Sequence, residues 1–309
     1  MAARGASRGK EDMNTRVQIQ MLPDGHRLHL HDGPIDLIIE AFGAPGEIHA
    51  AYRAACARFE TVLDELCSEL AFLRQACLPE SGWPRGRVAR RMMAATLPYA
   101  SEYFITPMAA VAGAVAEEIL DAMVSQAELS RSYVNNGGDI ALHLSAREQF
   151  VIGMVERPDR PSLSGTTTLR SSDFIRGIAT SGWRGRSFSL GIADAVTVLA
   201  DRSSAADVAA TIIANAVDLP GHPAIVRVPA CELAPDSDLG RRLVTQSVGE
   251  LTATEVAHAL ASGTQTAEKL RRIGLIRSAA LRLRGETRLV PGTDHSLTTA
   301  AGERNLVHA

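Results

Sequence analysis

Residues 133–144 read YVNNGGDIALHL, two β-type segments joined by Gly-Gly-Asp. Consecutive glycines allow positive φ angles and let the backbone approach a ligand, and their amides can face an anion. Between two strands, such a turn is most often that of a β-hairpin. The stretch therefore predicts two antiparallel neighbours. It leaves open whether the turn also binds a ligand.

Strand and helix patterns extend from this hairpin in both directions. Residues with β-type alternation include RVQIQML, HRLHLHD, IDLIIEA, QFVIGMV, HPAIVRVPA and IRSAALRLRGETRLV, and residues with helical periodicity include 47–77, PMAAVAGAVAEEILDAMV and AADVAATIIANAV. A capped helix start is predicted in PDSDLGRRLV, and a loop at 79–91. Strands occur in runs between helices, without βαβ alternation. This favours an α+β fold with a mainly antiparallel sheet flanked by long helices.

Composition sets the broad class of the protein. The 309 residues are 46% hydrophobic and 22% charged, with a net charge of −3. No basic block is present, which argues against a nucleic-acid partner. No apolar run approaches the roughly 20 residues of a membrane-spanning helix, and the first residues lack a signal-peptide core, so we expect no membrane contact and a cytoplasmic location.

The domain organisation predicted from composition has three parts. Residues 1–15 are expected to be a disordered extension, 16–290 a single domain and 291–309 a loose tail. The apolar seam of the predicted 47–77 helix could pack on its own sheet or form a homodimer, and packing on the sheet is the commoner use.

A second glycine-containing stretch, TSGWRGRS, lies at 180–187. Hydroxyls, free amides and forked guanidinium groups could together bind a phosphate or carboxylate. The residues that offer them are Thr180, Ser181, Gly182, Gly185, Arg184 and Arg186. A solvated surface turn is the alternative interpretation, and Trp183 could stack on a planar ring or pack in the core.

Two aspartates stand out downstream. Asp194 interrupts an apolar run, where a carboxylate must be hydrogen-bonded or cation-bound. Asp207 and Thr211 are four residues apart on one helical face, and oxygen ligands of this kind suit Mg²⁺. The alternative is that Asp207 only complements a helix dipole.

Taken in order, GPIDLIIEA, ITPMAAVAGAVAEEIL, YVNNGGDIAL, IATSGWRGRSFSLGIADAVTVLA, AADVAATIIANAV and PDSDLGRRLV resemble an uncharacterised ApbE-related family of methanogens and some bacteria. That family is distantly similar to ApbE, the FAD:protein FMN transferase, a magnesium enzyme. The resemblance implies an ApbE-like fold, a flavin nucleotide (FAD or FMN) with Mg²⁺, and a protein acceptor.

The resemblance also implies site residues. The flavin-contacting segments correspond to Asn136, Gly137, Gly138, Asp139, Thr180, Ser181 and Gly182, to which Arg184 and Arg186 are added as phosphate ligands. The metal ligands correspond to Asp207, Thr211 and the Ala210 carbonyl.

The sequence departs from the transferase at two places. SFSLGIADA stands where the transferase has a histidine and an Asp-Pro motif, and Gly113 stands near the place of its lysine. We therefore expect a nucleotide-binding protein, or a transferase with altered catalytic residues. A non-flavin accessory or carrier protein in sulfur assimilation or one-carbon metabolism is the alternative, for which Cys56, Cys67 and Cys77 of the predicted long helix would matter more.

Overall fold

A computed structural model describes residues 16–155, 163–292 and 306–308 of the chain. The strands are β1 (Gln18–Met21), β2 (Leu28–Asp32), β3 (Ile35–Gly43), β4 (Leu129–Asn136), β5 (Asp139–Leu144), β6 (Gln149–Val155), β7 (Leu163–Arg170), β8 (Gly177–Ser181), β9 (Ala195–Ala200), β10 (Ile225–Pro229), β11 (Leu243–Val248), β12 (Ser278–Leu283), β13 (Glu286–Val290) and β14 (Leu306–His308). The α-helices are α1 (Pro45–Ser68), α2 (Leu70–Leu73), α3 (Arg87–Thr96), α4 (Val111–Val124), α5 (Ser203–Ala216), α6 (Ala230–Leu233) and α7 (Ala253–Arg272).

The main sheet has nine strands in the order β1-β2-β3-β4-β5-β8-β9-β12-β13, and each neighbouring pair is antiparallel. This confirms the predicted α+β class with a mainly antiparallel sheet. β10 and β11 form a separate ribbon, and β6 pairs with β7 and β14. The predicted N-terminal extension 1–15 lies outside the described residues, as does most of the predicted tail 291–309, within which β14 is described.

Strand alternation divides the core between the two faces of the main sheet. In β5, Ala141 belongs to the cluster that also contains the buried residues of α1, α4, α5 and α7. Its neighbours Ile140 and Leu142 point the other way, into a cluster with Phe150 and Leu169 of the β6–β7 pair. The predicted hairpin strand is therefore buried on both faces, by helices on one and by a small sheet on the other.

The long helix predicted over 47–77 is interrupted. α1 ends at Ser68, and Glu69 leaves the helix with φ −114°. The Glu69 carboxylate accepts the backbone N–H groups of Arg85 at 2.6 Å and Gly86 at 2.7 Å. It thereby holds the segment that leads into α3, a helix that begins within the predicted 79–91 loop. The apolar seam of α1 packs in the chain's own core, as the sequence favoured.

Two further predictions of local structure are wrong. The PDSDLGRRLV segment forms turns leading into β11, without a helix. The two side chains that could cap a helix here have other partners, since the Asp236 carboxylate pairs with Arg74 and the Ser237 hydroxyl accepts the Leu239 N–H within the turn. The closing IRSAALRLRGETRLV strand is a hairpin of β12 and β13. Its turn residues, Arg284 and Gly285, both have positive φ, at 52° and 84°.

The first turn of α5 lies between two glycines. A Cβ atom on Gly113 of α4 would lie 2.5 Å from the Ser203 carbonyl, and one on Gly177 of β8 would overlap the peptide that joins Arg202 to Ser203. These backbones therefore touch without intervening side chains. Within the described residues, no helix is both long and apolar enough to cross a membrane.

Substitution of Gly113 tests this contact. We expect Gly113→Ala to lower the free energy of unfolding by about 2 kcal/mol or more, because the added methyl forces α4 and α5 apart. Urea unfolding followed by circular dichroism measures the change. Gly46→Ala is the matched control, since Gly46 also lies in the first turn of a helix but has nothing within 4 Å of the Cβ position. Equal stability of the two variants would contradict the close contact.

Candidate functional site

The Gly-Gly turn is held in shape by the two asparagines that precede it. Gly137 and Gly138 have φ of 64° and 111°, values that favour glycine. The Asn135 side-chain oxygen accepts the Gly138 N–H at 2.8 Å. The buried Asn136 amide donates to the Ala112 carbonyl at 3.1 Å, so the turn is attached to the start of α4.

Asp139 follows the turn as the first residue of β5. The β5–β8 pairing is formed by Ile140 with Ile178 and Ala141 with Gly177. The Asp139 carboxylate accepts the backbone N–H of Thr180, further along β8. Burial raises the Asp139 pKa well above its usual value, and the negative charge of Asp207 raises it further. The two carboxylates therefore lie in one electrostatic environment although they are far apart in sequence.

Asp207 projects from α5 towards the first turn of α4. Its Oδ2 accepts the Gly113 N–H at 3.0 Å, and the carboxylate also accepts the Ala112 N–H. Burial raises the Asp207 pKa to about 7, with a smaller contribution from Glu117, while the two amides act in the opposite direction. Asp207 therefore interacts with the N-terminal end of a helix dipole, but the helix is α4 and not α5, to which Asp207 belongs.

Glu117 of α4 makes the corresponding contact with the first turn of α5. Its Oε1 accepts both the N–H and the hydroxyl of Ser204, each at 2.7 Å. The two helices therefore cap each other's first turns with buried or half-buried carboxylates. Sequence analysis missed Glu117. Its position four residues after Gly113, within an Ala- and Gly-rich helix start, was the available signal.

The two arginines of the TSGWRGRS loop differ in their contacts. Arg186 is exposed, donates from Nη2 to the Pro34 carbonyl at 3.2 Å, and has Nη1 2.7 Å from where a Gly137 Cβ would lie. Its positive charge acts on Asp139 in the direction of a lower pKa. Arg184 instead donates from Nε to Asp194 Oδ1 at 3.1 Å. Arg186 is therefore the guanidinium that lies over the Gly-Gly turn.

The remaining predicted residues fall on both faces of the sheet. The Thr180 hydroxyl bonds that of Thr197 at 2.9 Å, and Ile178, its neighbour two residues earlier, packs on the small-sheet side. Of the two donors of Thr180, only the backbone N–H therefore bonds Asp139. Ser181 ends β8 as a half-buried residue, and Gly182 packs against the Asp194 carbonyl, which would lie 2.5 Å from an added Cβ.

The predicted metal ligands all lie on α5. Thr211 is half-buried one helical turn after Asp207, and Ala210 is buried beside it. Carboxylate, hydroxyl and carbonyl oxygens are the ligands that Mg²⁺ prefers. Among the residues that the structure describes, no group of three or more His, Cys, Asp or Glu side chains has metal-binding geometry.

A groove lies on another part of the protein. It has a volume of about 960 Å³ and is lined by residues that include Phe42, Arg131 and Tyr133, which are distinct from the predicted site residues. Arg131 already packs over the Phe42 ring at 4.3 Å and donates to the Gln149 carbonyl. The candidate functional site is instead the region of the Gly137–Gly138 turn, where Asp139, Asp207 and Arg186 lie close together.

The sequence model of the family described as AbpE bacteria matches residues 19–289. The chain belongs to this family. Membership of the AbpE bacteria family confirms the ApbE-related resemblance that the motifs predicted.

Methanogen relatives agree with that resemblance. A UPF0280 protein of Methanopyrus kandleri is 41% identical over 128 residues, which are 41% of this chain and 48% of that protein. A UPF0280 protein of Methanococcoides burtonii is 42% identical over 136 residues, 44% of this chain and 54% of that protein. The matched part of the chain thus spans about half the length of these curated relatives.

One solved structure is a flavin transferase ApbE from Vibrio cholerae, a histidine-to-glycine mutant. It has 12% identity and a TM-score of 0.44, and the match covers 90% of this chain and 97% of that one.

The pKa directions predict a pH-dependent stability that a cation would offset. The Asp207 pKa is about 7 in the folded protein, above the value of about 4 in an unfolded chain. Its contribution to stability is therefore fully present below about pH 4 and is lost as pH rises through about 7. In chelator, we expect the melting temperature of the wild type to fall more steeply between about pH 4 and 7 than that of Asp139→Asn, because the variant has one carboxyl fewer to ionise in this place.

Addition of Mg²⁺ should remove most of that difference, because the cation takes the place of the proton. Differential scanning fluorimetry across pH, with and without Mg²⁺, measures both effects. Asp201→Asn is the control, since Asp201 is exposed and paired with Arg277. Parallel pH profiles for the wild type and Asp139→Asn would show that ionisation of Asp139 does not contribute to the pH dependence of stability.

Proposed function

We propose that the protein binds a flavin or related nucleotide with a divalent cation in the cleft between the Gly-Gly turn, the TSGWRGRS loop and the first turns of α4 and α5. The convergence of Asp139 and Asp207 beside that turn carries the proposal. Two carboxylates with raised pKa values in one cleft are typical of functional sites. Arg186 adds a positive charge at the same place.

The cation would be Mg²⁺, held by the Asp207 carboxylate, the Thr211 hydroxyl and the Ala210 carbonyl, with Asp139 nearby. When bound, it would neutralise phosphate charge and polarise a phosphoryl group. The amides that hold Asp207 keep its carboxylate oriented before any ligand arrives. The metal assignment therefore rests on a carboxylate fixed by Ala112 and Gly113.

The nucleotide would be held mainly by backbone groups and one guanidinium. The positive φ of Gly137 and Gly138 leaves the turn without side chains that would obstruct a phosphate. Arg186 lies over the same turn and is exposed, so it can reorient onto a phosphate. Ser181 would supply a hydroxyl from the end of β8, and Thr180 its backbone. Arg184 would act indirectly, since it is held by Asp194.

Transfer of the flavin to a protein acceptor is the finer part of the proposal. Gly113 takes the approximate place of the transferase lysine, and its contact with Ser203 leaves no room for a side chain. Asp194 lies in the segment that replaces the histidine and Asp-Pro motif, and both of its carboxylate oxygens already accept hydrogen bonds. Any transfer must therefore use other groups, and we propose nucleotide binding as the primary activity.

The cysteines give the sulfur-carrier alternative no support. Burial, and then the charge of Glu60, raise the pKa of the Cys56 thiol, which makes it less reactive. Cys77 is buried beside Met93. Cys67 is exposed on α1. A carrier thiol needs a lowered pKa and access to solvent, so the raised pKa of Cys56 and the burial of Cys77 argue against these two residues as carriers.

Substitution of Asp207 tests the metal assignment. We expect Asp207→Asn to weaken Mg²⁺-dependent binding of FAD or FMN by about 100-fold, because one charged ligand is lost. The asparagine oxygen can still accept the Gly113 N–H, so the fold should persist. Isothermal titration calorimetry with FAD and FMN, in Mg²⁺ and in chelator, measures the loss, with Asp201→Asn as control. Wild-type-like Mg²⁺ dependence in the variant would exclude Asp207 as a ligand.

Substitution of Arg186 tests the phosphate assignment. Arg186→Gln should weaken nucleotide binding about tenfold and reduce its dependence on salt, because one charge-assisted contact is removed. The affinity for Mg²⁺ alone should change little. Fluorescence titration of FMN at two salt concentrations measures the effect, and Arg147→Gln, at an exposed arginine of the β5–β6 turn, is the control. Equal losses in both variants would mean that only net charge matters.

A further inference from the structure

Asp194 joins the TSGWRGRS loop to a hairpin that lies 90 residues later in the chain. Its Oδ1 accepts Arg184 Nε at 3.1 Å, and its Oδ2 accepts the backbone N–H of Arg284 at 2.6 Å. Its own N–H donates to the Arg282 carbonyl at 2.9 Å. The residue is 7% exposed. Both oxygens of a nearly buried carboxylate are thus used to attach the TSGWRGRS loop to the β12–β13 hairpin.

Arg284, the partner of Asp194 in the β12–β13 turn, is itself held in place. Arg284 has a φ of 52°, an uncommon conformation for a residue with a side chain. Its backbone N–H donates to Asp194, and its guanidinium donates to the carbonyls of Val248, the last residue of β11, and of Gly249. Both the backbone and the side chain of Arg284 are therefore fixed by hydrogen bonds, which hold the turn in its uncommon conformation. Asp194 is anchored to a rigid point of the fold.

The loop end is fixed by stacking. Arg184 lies over the Trp183 ring at 4.2 Å, and Trp183 packs against the main core. The Trp183 backbone N–H donates to the Ala193 carbonyl at 3.0 Å, and Gly182 packs on the Asp194 carbonyl. The chain from Gly182 to Arg184 is therefore held against residues 193–194. Arg186 comes two residues later.

We infer that Asp194 is a positioning residue that fixes the TSGWRGRS loop through Arg184, so that Arg186 lies over the Gly137–Gly138 turn. The inference deepens the proposed function and rests on it. Asp194 touches neither Arg186 nor the turn. Its effect is to limit the conformations of the loop and so to reduce the entropy lost when Arg186 meets a phosphate.

The first measurement needs no nucleotide. Trp83→Phe leaves Trp183 as the single tryptophan, because the chain has two. In that background, we expect Asp194→Asn to increase acrylamide quenching of Trp183 about twofold and to speed tryptic cleavage after Arg184 or Arg186, because the loop is released. Asp201→Asn is the control, since its ion pair with Arg277 is exposed. Quenching and cleavage equal to those of the parent would overturn the inference.

The second measurement separates positioning from general support of the fold. Asp194→Asn should weaken FAD or FMN binding about tenfold while the affinity for Mg²⁺ alone is unchanged, because Asp139 and Asp207 are held by other contacts. Equal losses of both affinities would mean that Asp194 only stabilises the fold and would overturn the inference. If Asp194→Asn does not fold, Arg184→Gln removes the same ion pair at a half-buried residue. It is also expected to weaken nucleotide binding and to leave the affinity for Mg²⁺ alone unchanged.

A double variant tests the route of the effect. If Asp194 acts through Arg184, the Asp194→Asn/Arg184→Gln protein should bind nucleotide about as weakly as either single variant. Additive losses would overturn that route. Failure of the wild type to bind FAD or FMN with Mg²⁺ would refute the proposed function, whereas the Trp183 measurements would still decide whether Asp194 fixes the loop.

Discussion

The backbones of α4 and α5 meet at Gly113 and Ser203, and the candidate site depends on this contact. Without side chains between them, each helix can place a carboxylate on the other's first turn, Asp207 on Gly113 and Glu117 on Ser204. Gly177 lets β8 approach the same turn from the other side. The sheet, both helices and the Gly-Gly turn are thereby brought to one place, since Asn136 attaches that turn to the start of α4.

Asp207 serves the fold and the candidate site with the same carboxylate. The amides of Ala112 and Gly113 stabilise its charged form, whereas burial and the charge of Glu117 oppose it. These effects leave its pKa at about 7, so modest changes in the surroundings decide whether it is charged. The contact that orients Asp207 also excludes a side chain at position 113. A lysine in this place and the present helix packing are therefore incompatible.

Local patterns predicted much of this arrangement. Alternation in YVNNGGDIALHL gave the hairpin, and the spacing of Asp207 and Thr211 placed them on one helical face. The sequence alone could not predict which residues far apart in the chain contact each other. Asp194 was recognised as a carboxylate in need of partners, but one of them, Arg284, is 90 residues away. The Thr180 hydroxyl was expected to face the ligand, yet strand alternation turns it towards Thr197, which becomes evident only when the strand register is known. The break at Glu69 likewise depends on a contact with a later segment.

The spacing of these contacts along the chain has a consequence for folding kinetics. The bond between Gly113 and Asp207 joins residues 94 positions apart, and that between Glu117 and Ser204 joins residues 87 apart. Closing such long loops costs entropy before any contact stabilises them, so interactions of this kind form slowly. A nascent chain that ends before α5 would present the Gly-Gly turn and α4 without the opposing carboxylate. The two carboxylates of the candidate site therefore come together only once the second half of the chain has been made.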